Sequence, residues 1–116
     1  GCSNLINAGK SLLQWGPDTI VIKMGSRGSL LITNKDSCQL PCIPNIDVYD
    51  PTGAGDSFAG GFIGYLAKYN NNNIIEALLY ASSVASFTVS GFGINEILNL
   101  NLNDIESRVN ILKSIM

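Results

Sequence analysis

The chain has 116 residues, 46% of them hydrophobic and only 14% charged, with a net charge of −2. That length can bury a core, and so few charges predict that more chain or a partner covers much of the surface. No basic patch is present to neutralise a phosphate backbone, no apolar run approaches the ~20 residues of a membrane helix, and GCSNLINAGK lacks the pattern of a secretory signal, so neither nucleic acid nor membrane is expected as a partner and a cytoplasmic location is.

Taken in chain order, Leu5 to Trp15 reads as a helix with Leu5, Ile6, Leu12 and Leu13 on its apolar side, stopped by Gly16-Pro17-Asp18. Thr19 to Lys23 is a run of β-formers too apolar to alternate, which predicts an interior strand buried on both faces. A turn over Gly25 to Gly28 leads to a second strand, Ser29 to Thr33. A hairpin-like turn at Asn34 to Asp36 then leads to a short strand around Gln39 to Cys42, with Pro41 and Pro44 marking an edge or connection. Ile46 to Tyr49 reads as extended, and Pro51 keeps Asp50 out of the helical region.

A helix is predicted from about Gly53 to Lys68, apolar all round through Phe58, Phe62, Ile63, Tyr65 and Leu66, and therefore central and buried. Asn70 to Asn73 is a low-complexity polar tract. Asn73 with Glu76 resembles a capping box opening a helix to about Val89, ended by Gly91 and Gly93. Asn103 with Glu106 repeats the pattern before a last helix striped by Ile105, Val109, Leu112 and Met116. Strands followed by helices, with no internal repeat, describe the tail of an α/β domain.

The chain has three cysteines, Cys2, Cys38 and Cys42, and no histidine. It cannot supply the four ligands of a zinc site, Cys38-x-x-x-Cys42 lacks redox-pair spacing, and histidine-based catalysis is excluded. Acid–base chemistry must come from a carboxylate or a lysine.

The informative segment is Asp50-Pro-Thr-Gly-Ala-Gly-Asp-Ser-Phe58, where an extended stretch enters a glycine-rich turn that becomes the first turn of a helix. The first N–H groups of a helix have no internal partner and carry partial positive charge. With almost no side chain at Gly53, Ala54 and Gly55, an anion can approach them closely, which suits a phosphate or the charge spread over a phosphoryl group in transfer. Asp56 in the same turn would repel that anion unless it serves as a base toward an attacking hydroxyl; the plain alternative is an acidic residue favoured by the helix dipole. Asp56, Gly60 and Gly64 share one helix face, where the two glycines would let another element pack. The segment matches neither the Walker A pattern nor the dinucleotide G-x-G-x-x-G.

This segment resembles the PfkB or ribokinase family, whose motif reads D-T-x-G-A-G-D-x-F; here it reads D-P-T-G-A-G-D-S-F, followed by Ala59-Gly-Gly-Phe62. Upstream, Val21-Ile-Lys-Met-Gly-Ser-Arg-Gly28 resembles the family's strand and G-x-x-G turn along the ATP site, and Ala77 to Gly93 resembles the helix that closes the nucleotide pocket. The resemblance covers nearly the whole chain and implies a three-layer α/β/α ribokinase-like sandwich, with residues 1–116 as its C-terminal part, holding the ATP site, anion hole and catalytic base.

It further implies Asp56 as catalytic base and Gly53, Ala54 and Gly55 as the anion hole for the γ-phosphate. Lys23, Gly25, Ser26, Arg27 and Gly28 would line the nucleotide, with Ser82 beside the adenine; Lys23 departs from the threonine often found there, and Ser82 from asparagine. Asp50 would bind a monovalent cation, usually K⁺, with Thr52, Thr88, Gly91 and Gly93 completing the site, while Mg²⁺ would arrive with ATP. The family's sugar-recognition residues and lid fall mostly in an amino-terminal part that this chain does not contain. The expected partners are therefore a sugar or nucleoside, the rest of a kinase chain without which the site is incomplete, and room for a homodimer.

The reading is an ATP-dependent transfer of the γ-phosphoryl group to a hydroxymethyl group of a sugar or nucleoside. Its alternatives are a non-catalytic nucleotide-binding or regulatory domain of the same fold, and a structural interaction module. An intact Gly-Ala-Gly-Asp56 separates the first from the second, since a retired kinase has little reason to keep that carboxylate.

Overall fold

The computed structural model describes residues 2–44, 53–69, 73–90 and 101–116. Their elements are α1 (Cys2–Leu13), β1 (Thr19–Lys23), β2 (Ser29–Thr33), β3 (Ser37–Leu40), α2 (Ala54–Tyr69), α3 (Ile74–Ser90) and α4 (Leu102–Ser114). They fall into two compact units, Gly1–Cys42 and Ile43–Met116. The extended reading of Ile46 to Tyr49, the tract from Asn70 to Asn72 and the glycines after α3 lie outside the described residues.

In the first unit β1, β2 and β3 form an antiparallel sheet in that order. Alternation puts Ile20, Ile22, Leu30 and Ile32 on one face, where Leu5, Ile6 and Leu13 of α1 pack over them. Gly9 lets α1 approach closely, because a Cβ there would overlap the Ile32 side chain. Two expectations are corrected. Thr19 to Lys23 is half-buried and ends in an exposed Lys23, because among the described strands it lies at one end of the sheet and pairs with β2 alone. Leu12 is exposed, since the buried stripe of α1 runs through Leu5, Ile6 and Leu13. β3 also begins two residues earlier than expected, after Thr33 closes the turn by donating its N–H to the Asp36 carbonyl at 2.9 Å.

In the second unit α2 packs on α3, and α3 on α4. The closest approach is at Gly61, where a Cβ would lie 3.2 Å from Ala81 Cα and 3.4 Å from Val84 side-chain atoms. Phe58, Phe62, Tyr65 and Leu66 are half-buried, whereas Ile63 is 65% exposed. The expectation of a helix buried all round is therefore corrected: only one face of α2 is covered among the described residues. Gly60 and Gly64 lie on the other face with no atom of a described residue within 4 Å of a Cβ built there, so among the described residues Gly61, and not Gly60 or Gly64, is the packing glycine.

Leu79, Ile105, Val109 and Leu112 form the core of this unit, and Met116, expected in the stripe, is exposed. Asn73 caps α3 by accepting the Glu76 N–H at 3.1 Å. The cap of α4 lies two residues earlier than expected: Asn101 accepts from the Asp104 N–H at 2.9 Å and Asp104 returns the contact, a complete capping box.

Candidate functional site

Gly53 stands at φ 83°, a region open to glycine, and turns the chain into α2. Its carbonyl accepts the Ser57 N–H at 2.9 Å, the first bond of the helix ladder. The N–H groups of Ala54, Gly55 and Asp56 therefore precede that ladder at the positive end of a 16-residue helix. Among the described residues, a Cβ on Gly53 would meet nothing nearer than Thr88 Cγ2 at 3.9 Å. Asp56 is exposed in this first turn, and its carboxylate makes no ion pair or hydrogen bond to another described residue.

Thr88 belongs to the same place. It is 4% exposed near the end of α3, and its Oγ1 donates to Ser57 Oγ at 2.7 Å. The bond ties the first turn of α2 to the last turns of α3. Sequence reasoning assigned Thr88 only a carbonyl role and gave Ser57 none, because serine occupies the position that the D-x-F motif leaves open. No local signal pairs two residues 31 apart. Ser82 is half-buried on α3, a turn and a half before Thr88. Asp50, Thr52, Gly91 and Gly93 lie outside the described residues.

Of the residues expected to line the nucleotide, Lys23 and Gly25 to Gly28 lie together in the first unit, whereas Ser82 belongs to the second. Lys23 ends β1, and Gly25 to Arg27 form a 3₁₀ turn with Ser26 and Arg27 exposed. Met24 donates its N–H to the Gly28 carbonyl at 2.8 Å and Gly28 to that of Gly25 at 3.0 Å, closing the turn. Two side chains hold it from outside: Gln39 Nε2 donates to the Arg27 carbonyl at 3.1 Å, and Cys42 Sγ to that of Ser26 at 3.0 Å. Neither support was expected. Cys38 and Cys42 are free thiols.

At the far end of α2, Tyr65, Tyr69, Glu76, Tyr80, Glu106 and Lys113 line a concavity of about 280 Å³. Burial, followed by the nearby Tyr69 and Glu106, raises the Tyr80 phenol above its ordinary value, so it stays neutral there. Lys113 pairs with Glu76 across α3 and α4. No group of three or more His, Cys, Asp or Glu side chains able to hold a metal occurs among the described residues, and no described helix is long and apolar enough to cross a membrane.

The pfkB family carbohydrate kinase model matches residues 3–100. The aminoimidazole riboside kinase of Salmonella typhimurium is 35% identical over 96 residues, covering 80% of this chain and 30% of that protein. A ribokinase of Dictyostelium discoideum is 33% identical over 94 residues, covering 79% and 28%. The crystal structure of aminoimidazole riboside kinase from Salmonella enterica, complexed with aminoimidazole riboside and an ATP analog, superposes with a TM-score of 0.74 at 31% identity, over 89% of this chain and 35% of that one. The chain thus spans less than a third of the length of either curated relative.

These likenesses define the class first: the fold is that of the ribokinase-type α/β kinases, as the motif implied. With its family model matched over residues 3–100, the chain belongs to the pfkB family of carbohydrate kinases.

Proposed function

We propose that residues 1–116 form the C-terminal, ATP-handling part of a kinase that moves the γ-phosphoryl group of ATP to a hydroxymethyl group of a sugar or nucleoside. The observation that carries this reading is the first turn of α2, where N–H groups ahead of the helix ladder and an exposed carboxylate share one turn. The relatives support the choice of substrates, being kinases of a riboside and of ribose by name.

In this reading Asp56 takes the proton of the acceptor hydroxyl as that oxygen closes on the γ-phosphorus. The new O–P bond forms, the bond from phosphorus to the bridging oxygen breaks, and ADP leaves with its electron pair. The N–H groups of Ala54, Gly55 and Asp56 hold the charge on the equatorial oxygens during transfer. Lys23, Gly25, Ser26, Arg27 and Gly28 line the nucleotide, and Ser82 lies toward its base.

Mg²⁺ would arrive on the phosphates of ATP and neutralise part of their charge. A K⁺ site from Asp50, Thr52, Thr88, Gly91 and Gly93 fits what is described of it, since Thr88 lies in the last turn of α3, where carbonyls have no intrahelical partner. The sugar site, the lid, the remaining chain and any homodimer are completed outside these residues.

The test is ADP release by the complete kinase chain over a panel of sugars and nucleosides, for the natural protein and for Asp56→Asn. A phosphorylated hydroxymethyl product, lost in the variant with ATP binding retained, supports the proposal. ATP binding without transfer to any acceptor would instead indicate a non-catalytic nucleotide-binding domain.

A further inference from the structure

We infer that Ser57 and Thr88 are a positioning pair that fixes the phosphate-holding turn of α2 against α3. The inference rests on the kinase reading above and deepens it, adding two hydroxyls that act on the site through the helix that bears it.

Three observations carry it. The first is the bond itself, 2.7 Å from Thr88 Oγ1 to Ser57 Oγ, at the preferred length for two hydroxyls, with Thr88 4% exposed. Thr88 Oγ1 also lies 3.5 Å from the Val84 carbonyl, but its single hydrogen serves the shorter contact better. The other buried hydroxyls of α3 differ: Ser83 donates to the Leu79 carbonyl and Ser86 to the Ser83 carbonyl, both within α3. Ser86 Oγ also accepts from Arg108 Nη1 of α4 at 2.6 Å, so Thr88 is the one of these three that reaches α2.

The second is where the bond lands. Ser57 closes the first turn of α2 through its N–H to the Gly53 carbonyl, and Asp56 is the residue before it. Thr88 Cγ2 lies 3.9 Å from the Cβ position of Gly53, so one threonine touches the start of the turn with its methyl and the end with its hydroxyl.

The third is what else sets the register of α2 on α3. Gly61 lies against Ala81 and Val84, where the missing side chain lets the backbones approach, and one turn further on Tyr65 meets Tyr80 with ring centroids 5.3 Å apart. Both contacts lie a turn or more beyond Ser57. The directional bond at the end of the helix adds a restraint there, and a shift at that end moves the N–H groups of Ala54 to Asp56 together with the carboxylate. Small misplacements of groups acting in the transition state appear in turnover more than in ground-state binding.

The test uses the complete kinase chain with Thr88→Val, Ser57→Ala, the double variant and Thr88→Ser, measuring kcat, KM for ATP and acceptor, Tm, and hydrogen exchange of the Ala54 to Ser57 amides. Each single variant should lower kcat roughly tenfold with little change in KM, as expected for one lost hydrogen bond. The double variant should be no worse than either single, because both remove the same bond. Thr88→Ser should restore kcat to within about twofold, and the four amides should exchange faster in Thr88→Val.

Wild-type turnover in both single variants, a loss of Tm with unchanged kcat, or additive effects in the double would overturn the pair. Should Thr88→Val fail to fold, Ser57→Ala decides on the same criteria from the more accessible side. Asp56→Asn is the control on the kinase reading. If it turns over like the natural protein, that reading fails, and unchanged amide exchange in the single variants would then still refute the pair while faster exchange would sustain it.

Discussion

Gly28 and Gly53 stand at nearly the same backbone angle, φ 85° and 83°, and each hands the chain into an element, β2 or α2. Their surroundings differ. A Cβ on Gly28 would overlap the carbonyl oxygen of Leu40 on β3, so the space beside it is filled by the chain's own backbone. Among the described residues, a Cβ on Gly53 would meet only a threonine methyl at 3.9 Å. The first glycine is demanded by the packing of a sheet; the second is demanded by the turn alone, as far as the described residues go. Two glycine-rich turns that look alike as sequence are separated by what occupies the missing side chain's volume.

The largest effect that tests this contrast is at the chemistry. Asp56→Asn in the complete kinase should leave fold and ATP binding intact while turnover falls ~10²–10⁴-fold, the usual contribution of a general base. Steady-state kinetics beside a nucleotide titration would show it, and turnover within a few-fold of the natural protein would reduce Asp56 to a residue that merely suits the helix dipole.

Next comes Gly28→Ala, which combines a backbone region nearly closed to other residues with overlap against Leu40, and should cost roughly 3 kcal/mol of stability or more. Gly53→Ala meets only the left-handed backbone penalty of about 1–2 kcal/mol, yet it should lower turnover by more than that loss of stability accounts for. Denaturant unfolding and kinetics on both variants sharpen the comparison; equal destabilisation, with activity tracking stability in both, would erase it.

The smallest effect lies beside Gly28. Ser29 is buried at the start of β2 and its hydroxyl finds no hydrogen-bond partner among the described residues. Ser29→Ala removes that unsatisfied group and should raise stability by about 1 kcal/mol, read as an upward shift of the unfolding midpoint. A loss instead would mean that the hydroxyl has a partner in the complete kinase, and that this flank of the Gly25 to Gly28 turn does more than fold.

What the sequence by itself determined is what depends on neighbours along the chain. The turns at Gly25 to Gly28 and Gly53, the helix that begins just after Gly53, the Asn73 cap and the Gly-Ala-Gly-Asp constellation all follow from backbone preferences and helix-end electrostatics, which act within a few residues. What only the tertiary structure decided depends on which face meets which neighbour. Composition made α2 apolar all round, but packing against α3 covers one face and leaves Ile63 bare. Gly60 and Gly64 were the expected packing glycines, yet Ala81 and Val84 come against Gly61. The supports of the Gly25 to Gly28 turn, Gln39 and Cys42, and the Ser57–Thr88 bond join residues 12 to 31 positions apart. Periodicity and propensity carry no information about such pairs, because a hydrogen bond across that separation is chosen by how the elements pack.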